Sequence, residues 1–291
     1  MHLGNARTAL LAWLHVRAAG GAFVLRIEDL DDGRARDDYE RFILDDLRWL
    51  GLDWDEGPDV GGPFGPYRQS ENGARYAEAC ARLETYRCGC SRREIRAATF
   101  APHGMEPIYP GTCRTREIPP ERSAARRWIV PPGTIQVVDA IVGEITQDVA
   151  TEVGDFVLQR SDGAWAYQLA VVVDDAAMGI THVVRGVDLL DSTPRQVLLQ
   201  RTLGLPTPCY AHVPLLQGRD GEKLSKRHGA PDLGALRDAG VDPQRVVAAL
   251  ARSVGLLPEG VARVRPRALV GDFALAALRR PSLPWTATWL P

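Results

Sequence analysis

Two lysines lie close together in a chain that otherwise carries its positive charge on arginine. Lys223 and Lys226 fall in one pentapeptide, residues 223–227 (Lys-Leu-Ser-Lys-Arg), and no other lysine occurs among the 291 residues. A lysine ammonium is a compact charge on a flexible stem, whereas a guanidinium is a planar fork, so the two are not interchangeable at a phosphate. Gly218 and Gly221 precede the pentapeptide and indicate a loop. We therefore predict a phosphate-binding loop, with a solvated basic turn as the alternative.

The amino end of the chain offers a second place for a phosphate. Residues 2–5 (His-Leu-Gly-Asn) stand at the start of a predicted helix that runs from Asn5 to Ala19 and stops at the following glycines. Free amides and the dipole at a helix N-terminus favour an anion, and Gly4 would let a nucleotide approach the backbone closely. Taken alone, His2 carries little weight, because an isolated histidine at this position rarely has a function.

Polar residues that could bind a small zwitterion follow the predicted strands. Residues 22–27, 169–175 and 181–186 read as buried strands, and ligands of α/β folds bind beyond the carboxyl ends of parallel strands. Glu28 is a candidate partner for an amine or an arginine, with a solvated turn or an N-cap for the next helix as the alternative. Arg185 suits a bidentate grip on a carboxylate, with an arginine folded over the sheet edge as the alternative. The same reasoning places Tyr167, Asp174 and Asp188 near the crevice.

Three cysteines in a loop-rich segment predict a metal site. Cys88, Cys90 and Cys113 are separated by proline and glycine, and structural zinc takes four sulfur or nitrogen ligands in a tetrahedron. The fourth ligand would come from His103 or Tyr109, and ligand chemistry alone favours His103. Reduced, unliganded thiols are the alternative. The other two of the five cysteines, Cys80 and Cys209, stand in apolar surroundings and are expected in the core.

The composition is that of a globular enzyme, with 45% hydrophobic and 25% charged residues. The sequence has no apolar run of about 18 residues, so we expect no transmembrane helix, and the first residues do not resemble a signal peptide. An odd number of cysteines indicates no disulfide framework. A net charge of −2 gives no general nucleic-acid footprint, so any RNA contact would be a local arginine patch. We expect a cytoplasmic monomer.

The order of the predicted elements favours an α/β fold whose parallel sheet is interrupted by an insertion. A predicted helix runs from Ser70 to about Tyr86. The segment that follows it is rich first in proline and glycine and then in β-forming residues, including a predicted strand over residues 136–143, which predicts an α+β unit that carries the metal site. The expected divisions are residues 1–86 for the first half of the nucleotide-binding domain, 87–165 for the insertion, 166–235 for the second half with the lysine loop, and 236–291 for a helical C-terminal region and tail.

Residues 2–5 and 223–227 together resemble the two signature motifs of class I aminoacyl-tRNA synthetases. Residues 5–9 (Asn-Ala-Arg-Thr-Ala) and 26–31 (Arg-Ile-Glu-Asp-Leu-Asp) narrow the resemblance to the glutamyl branch, over about four-fifths of the chain. It implies a Rossmann-like, doubly wound parallel sheet. Members of the family open with a strand before the histidine that helps to bind glutamate. That first strand is missing here, and we expect the natural start to lie upstream of Met1, with weak glutamate binding by the chain as written.

The resemblance also implies roles for individual residues. It implies a catalytic role for His2, Lys223 and Lys226; ATP binding by His2, Gly4, Asn5 and Lys226; glutamate binding by Glu28, Tyr167 and Arg185; and one structural Zn²⁺ on Cys88, Cys90, Tyr109 and Cys113. Mg²⁺ would accompany ATP. On this ground Tyr109 replaces His103 as the expected fourth ligand.

The cysteine pattern with Tyr109 is similar to the shorter members of the branch, the glutamyl-queuosine tRNA(Asp) synthetases. This resemblance implies that L-glutamate is activated by ATP without tRNA and is then transferred to the queuosine base in the anticodon of tRNA(Asp). Two alternatives stay open. One is a glutamyl-tRNA synthetase fragment that charges tRNA(Glu), and the other is a non-catalytic, zinc-stabilised RNA-binding relic.

Overall fold

The computed structural model describes residues 1–31, 37–99, 108–218, 224 and 231–279. Nine helices occur in this part of the chain: α1 Leu3–Ala18, α2 Asp37–Leu50, α3 Gly73–Ala81, α4 Arg92–Thr99, α5 Val149–Glu152, α6 Tyr167–Ala177, α7 Thr193–Leu203, α8 Leu233–Asp238 and α9 Pro243–Arg252. Seven strands accompany them: β1 Thr85–Cys88, β2 Ala125–Trp128, β3 Thr134–Asp139, β4 Gly143–Asp148, β5 Val157–Gln159, β6 His182–Gly186 and β7 Cys209–Val213. Among the described helices, none has the length and apolar character needed to cross a bilayer.

Parallel pairing underlies the half of the molecule that holds the predicted ligand-binding residues. β6 and β7 run parallel, with His182 opposite Cys209 at one end and Gly186 opposite Val213 at the other. The predicted strand 22–27 is present as extended chain whose pairing consists of isolated parallel bridges. There the Leu25 amide donates to the Glu56 carbonyl at 2.9 Å. These segments bring the end of residues 22–27 and the end of β6 to the same region.

The predicted strand 169–175 is wrong, because these residues lie within helix α6. The side chains of Leu169 through Asp175 are all buried, so the segment has no polar face to reveal a helical period. A short apolar run that is buried on every side looks the same in sequence whether it forms a helix or a central strand. The β-branched valines at 171–173 favoured the strand, and packing on both sides overrode that preference.

Several boundaries also differ from those predicted. The helix expected to continue to about Tyr86 ends at Ala81, and β1 begins at Thr85. The predicted strand from 136 to 143 is the first arm and turn of an antiparallel hairpin of β3 and β4. Cys80 is buried as expected, but Cys209 is exposed because it opens β7 at the end of a connecting segment.

The apolar residues form two large clusters and one small one. The first joins α1, α2 and α9, and the second joins α3, α6 and α7 to the hairpin. The third surrounds the cysteines and includes Ile95 and Ile118. An antiparallel sheet of β1, β2 and β5 carries this small cluster. The insertion therefore has an apolar centre of its own beside the two that support the site.

Candidate functional site

Arg185 lies in β6 and is a buried cation with no carboxylate partner among the described residues. Its side chain donates to four neighbours. Nε donates to His212 Nε2 at 3.0 Å, one terminal nitrogen donates to Thr193 Oγ1 at 2.9 Å and to the Leu189 carbonyl at 3.5 Å, and the other terminal nitrogen donates to the Tyr167 hydroxyl at 3.3 Å. Only 7% of the residue is exposed. A buried charge is costly unless an opposite charge compensates it. The guanidinium is therefore suited to an anionic ligand.

Tyr167 and Glu28 complete the cluster that the sequence predicted for an amino acid. Tyr167 is the first residue of α6, and burial raises the pKa of its hydroxyl, with a further increase from the nearby Glu28 carboxylate. Glu28 follows the extended segment 22–27, and its side chain is 43% exposed. One face of the site thus offers a guanidinium and another offers a carboxylate. This charge arrangement matches an α-amino acid, which carries a carboxylate and an ammonium group.

Arg26 is a site residue that the sequence analysis missed as an individual contributor. It donates to Asp175 Oδ1 at 2.7 Å and to Glu28 Oε1 at 3.1 Å, and it lies 3.9 Å from Asp174. Asp174 itself is fully buried, contrary to its predicted place at the crevice, and accepts from the Tyr76 hydroxyl at 2.6 Å. Burial raises the pKa of Asp174. Arg26 therefore orients the exposed Glu28 while it neutralises the acidic pair on α6.

Two clefts meet at Glu28. One, of about 490 Å³, lies between α1, the segment 22–27 and β6, and Arg26 and Asp175 line it. The other, of about 660 Å³, lies between the insertion and the start of α6, and its lining includes Tyr167, Trp165, Arg127, Arg92 and Cys90. An amino acid at Glu28 would thus be open both to the catalytic half and to a larger partner that docks along the insertion.

His2, Gly4 and Asn5 lie at the open N-terminus of α1. The side chain of the N-cap residue, His2, makes no capping hydrogen bond. A Cβ added at Gly4 would meet no described atom within 4 Å outside its own helix. His2 is paired with Asp232 in an antiparallel bridge, and a cleft of about 840 Å³ opens beside them. Asp232 follows the predicted lysine loop in the chain, so the described residues just after that loop lie beside the start of α1.

Lys223 and Lys226 fall outside the described residues. Between them, the Leu224 amide donates to the Leu216 carbonyl at 2.8 Å, and its side chain packs against the first large cluster. The catalytic roles of both lysines stay predictions.

The three cysteines converge on Tyr109. The Tyr109 hydroxyl lies 3.4 Å from Cys88 Sγ and 3.7 Å from Cys90 Sγ, and the sulfurs of Cys90 and Cys113 are 3.5 Å apart. Ligand atoms of a tetrahedral zinc site, with Zn–S near 2.3 Å and Zn–O near 2.0 Å, are separated by about 3.5–3.8 Å. The three thiols and the phenol therefore have the spacing of one tetrahedral metal centre. His103 lies outside the described residues.

The surroundings of Tyr109 hold its hydroxyl at this position. The residue bridges to Gly154, whose φ of +74° and close approach to the Tyr109 carbonyl leave no room for a side chain. The Arg127 guanidinium lies 3.9 Å from the ring centroid, and the Cys113 amide donates to the hydroxyl at 2.9 Å. Burial raises the pKa of Cys90 to about 11 and that of Tyr109 further above its usual range.

Comparison with known proteins supports the same interpretation. Residues 1–264 match the family model of "tRNA synthetases class I (E and Q), catalytic domain". The chain is 53% identical to a glutamyl-Q tRNA(Asp) synthetase of Symbiobacterium thermophilum over 96% of this chain and 90% of that protein. It is 54% identical to a protein of the same name from Deinococcus radiodurans, over 87% and 85% of the respective chains.

A solved structure shows the same fold at lower identity. The glutamate-tRNA synthetase of Elizabethkingia anophelis superposes with a TM-score of 0.85 at 29% identity, and the match covers 99% of this chain. The chain spans 66% of that synthetase's length. With a family model matched over nearly the whole chain and relatives above half identity, the protein belongs to the class I tRNA synthetases of the glutamate and glutamine type, and it is a ligase.

Proposed function

We propose that the protein activates L-glutamate with ATP and transfers the glutamyl group to the queuosine base in the anticodon of tRNA(Asp). Glutamate as the substrate is supported by the buried Arg185, which has no carboxylate partner among the described residues, and by the half-exposed Glu28 carboxylate. Both charges act on the Tyr167 hydroxyl that lies at the site. The acceptor is supported by the names of the two relatives above half identity. The larger glutamate-tRNA synthetases share the fold but extend well beyond the matched region.

In the first step the α-carboxylate of glutamate attacks the α-phosphorus of ATP, which carries Mg²⁺, and pyrophosphate leaves. Arg185 and Tyr167 would bind a carboxylate of glutamate, and Glu28 would accept a hydrogen bond from its ammonium group. His2 and the free amides near Gly4 and Asn5 would bind the phosphates from the start of α1. Lys223 and Lys226 would neutralise the leaving pyrophosphate, so the protein's contribution is positioning and electrostatic stabilisation.

In the second step a hydroxyl of the acceptor nucleoside attacks the carbonyl carbon of glutamyl-adenylate. An ester bond to the nucleoside forms, the bond between the carbonyl carbon and the phosphate oxygen breaks, and AMP leaves while the hydroxyl proton is released. The cleft between the insertion and α6 leads from the surface to Glu28 and Tyr167. We assign the approach of the RNA to this cleft. A structural Zn²⁺ held by Cys88, Cys90, Tyr109 and Cys113 would fix the insertion that forms one of its walls. We keep the division into residues 1–86, 87–165, 166–235 and 236–291 as part of this proposal.

The test is glutamylation of defined RNAs by the purified chain. ATP–pyrophosphate exchange with glutamate should proceed without tRNA, and radiolabelled glutamate should appear on tRNA(Asp) that carries queuosine. Unmodified tRNA(Asp) is the matched control and should remain unlabelled. Labelling of tRNA(Glu) would instead favour the glutamyl-tRNA synthetase alternative. The absence of ATP–pyrophosphate exchange, both without RNA and with each RNA added, would favour a non-catalytic relic.

A further inference from the structure

We propose that Asp139 and His212 are positioning residues that fix the orientation of Arg185 and thereby set the affinity for the amino-acid substrate. The identity of that substrate rests on the proposed function. Asp139 ends the first arm of the insertion hairpin, His212 lies in β7, and Arg185 lies in β6. Three separate elements thus meet in one buried line of a carboxylate, an imidazole and a guanidinium.

Asp139 is held as an ionised group. Its oxygens accept from the amides of Ile141, Val142 and His212, and Oδ2 lies 2.7 Å from His212 Nδ1. Burial by itself would raise the pKa of this carboxyl, but the hydrogen bonds from the His212 ring and the three amides outweigh it and keep the pKa below its usual range. Both the Asp139 and the His212 side chains have no solvent exposure.

The contacts of His212 allow only one neutral tautomer. An ionised carboxylate accepts hydrogen bonds only, so Nδ1 must carry the proton that is donated to Asp139. A guanidinium has no acceptor, so Nε2 must present its lone pair to the Arg185 Nε–H, 3.0 Å away. Thr193 Oγ1 lies 3.2 Å from the same Nε2, and because it accepts from Arg185 its own hydrogen is free to be donated to this lone pair. A proton on Nε2 would direct one N–H at the N–H of Arg185 and would break that hydrogen bond. The hydrogen bonds therefore run from Arg185 to His212 to Asp139.

The consequence for the site is a guanidinium with one nitrogen reserved for a ligand. Nε is committed to His212, and one terminal nitrogen is committed to Thr193. The other terminal nitrogen points to the Tyr167 hydroxyl, where the predicted ligand-binding residues meet. The Tyr210 ring, centred 5.3 Å from the guanidinium carbon, limits rotation from the side. His212 and Asp139 touch no ligand themselves but set which face of Arg185 a carboxylate can reach.

Two substitutions at position 212 separate the hydrogen bond that His212 accepts from Arg185 from the one that it donates to Asp139. His212→Gln can place an oxygen near the Nε2 position and keep an acceptor for Arg185, whereas His212→Asn can keep a donor to Asp139 but has no acceptor for Arg185. We expect His212→Asn to raise the KM for glutamate at least tenfold, with kcat within about threefold and the KM for ATP unchanged. His212→Gln should recover most of the loss. Equal kinetics in both variants would overturn the proposal.

Asp139→Asn tests the other end of the line. An asparagine NH₂ can donate to Nδ1, which moves the imidazole proton to Nε2 and turns it toward Arg185. We expect the same rise in the KM for glutamate, of about tenfold or more, with little change in kcat. Val138→Thr, at the neighbouring and 79% exposed position, is the matched control and should leave the KM unchanged. A uniform loss of kcat at unchanged KM would contradict the assignment.

A spectroscopic measurement tests the His212 tautomer in the wild-type chain, and a variant is needed only to assign the signal. ¹⁵N-labelled histidine shows by its nitrogen shifts which ring nitrogen is protonated, and the His212 signal is assigned by its absence in His212→Gln. The expected result is a neutral ring protonated at Nδ1 at neutral pH. A ring protonated at Nε2, or at both nitrogens, would overturn the proposal. If the wild type fails to activate glutamate, the proposed function is wrong. The nitrogen shifts still show which His212 nitrogen is protonated, so the proposed tautomer is tested independently of activity.

Discussion

Two arginines at the site have opposite surroundings. Arg26 lies within 4 Å of three carboxylates, those of Glu28, Asp174 and Asp175, whereas Arg185 is surrounded by neutral groups. The charge of Arg26 is therefore neutralised by carboxylates of the protein itself, and the charge of Arg185 is available to a ligand. Sequence alone could not tell them apart, because both stand at the end of an apolar segment.

Replacement of Arg185 by lysine should weaken glutamate binding strongly. An ammonium cannot occupy the three nitrogen positions that His212, Thr193 and Tyr167 define, so the KM for glutamate should rise about 100-fold while the KM for ATP stays constant. ATP–pyrophosphate exchange at varied glutamate measures both. Arg263→Lys, on a 63% exposed side chain, is the control. An unchanged KM in Arg185→Lys would remove this residue from the glutamate site.

Replacement of Lys226 tests the predicted phosphate loop. Lys226→Ala should lower exchange by about 100-fold or more with nearly unchanged glutamate affinity, because the ammonium would act on charge that develops during pyrophosphate departure. Lys226→Arg should recover only part of the rate, since the preference is for a compact charge. Exchange within a few-fold of wild type in Lys226→Ala would show that the loop has another purpose.

At the scale of the elements, the sequence predicted that Tyr167 and Arg185 lie close together, but it did not predict the element that carries Tyr167. Tyr167 and Arg185 were assigned to strand ends, and they do meet, yet Tyr167 stands at the N-terminus of helix α6. The buried valines of α6 carry no periodic signal, which explains the error. Asp139 and His212 could not be found from sequence, because their contact joins residues 73 positions apart through two different elements.

The proposed zinc site of the insertion includes the Tyr109 hydroxyl, which a single substitution can remove. Tyr109→Phe should lower the zinc affinity at least tenfold, because one of four ligands is lost. Competition with a chromogenic chelator measures this affinity. Tyr86→Phe is the matched control, since the Tyr86 hydroxyl lies nearby but binds Asp155 at 2.7 Å. Equal zinc affinity in wild type and Tyr109→Phe would show that the fourth ligand is another residue.

Asp155 makes the stability of the insertion depend on pH. Burial would raise the pKa of its carboxyl, but hydrogen bonds from Arg114, the Val130 amide and Tyr86 outweigh it and lower the pKa. A carboxyl whose pKa is lower in the folded state stabilises fully above its unfolded value, near 4, and loses this effect as the pH falls through the folded value.

Asp155→Asn should therefore reduce the free energy of unfolding by about 2 kcal/mol at pH 7, and the difference from wild type should shrink below pH ~4. Urea unfolding followed at several pH values measures both. Asp162→Asn, at an exposed turn, is the control and should change little at pH 7. A difference that grows toward low pH would contradict the assigned direction.

At the scale of the whole molecule, three separate apolar clusters stabilise different parts of the chain. The cysteine cluster is separate from the two large ones that support α1, α6 and β6. Removal of metal by a chelator should therefore speed hydrogen exchange in β1 and at residues 108–113, while the amides of α1 and α6 stay protected. Hydrogen exchange with mass spectrometry measures this. Uniform loss of protection would show that the insertion and the catalytic half unfold as one unit.

The uncompensated charge of Arg185 links the survival of the protein to its supply of amino acid. A ligand that binds only the folded chain shifts the folding equilibrium by mass action. Under the proposed function, glutamate would supply the anion that the described residues do not, so a cell rich in glutamate should hold more of the chain in a protease-resistant form. In a starved cell the same protein would be degraded sooner, and its abundance would follow nutrient status without any dedicated regulator.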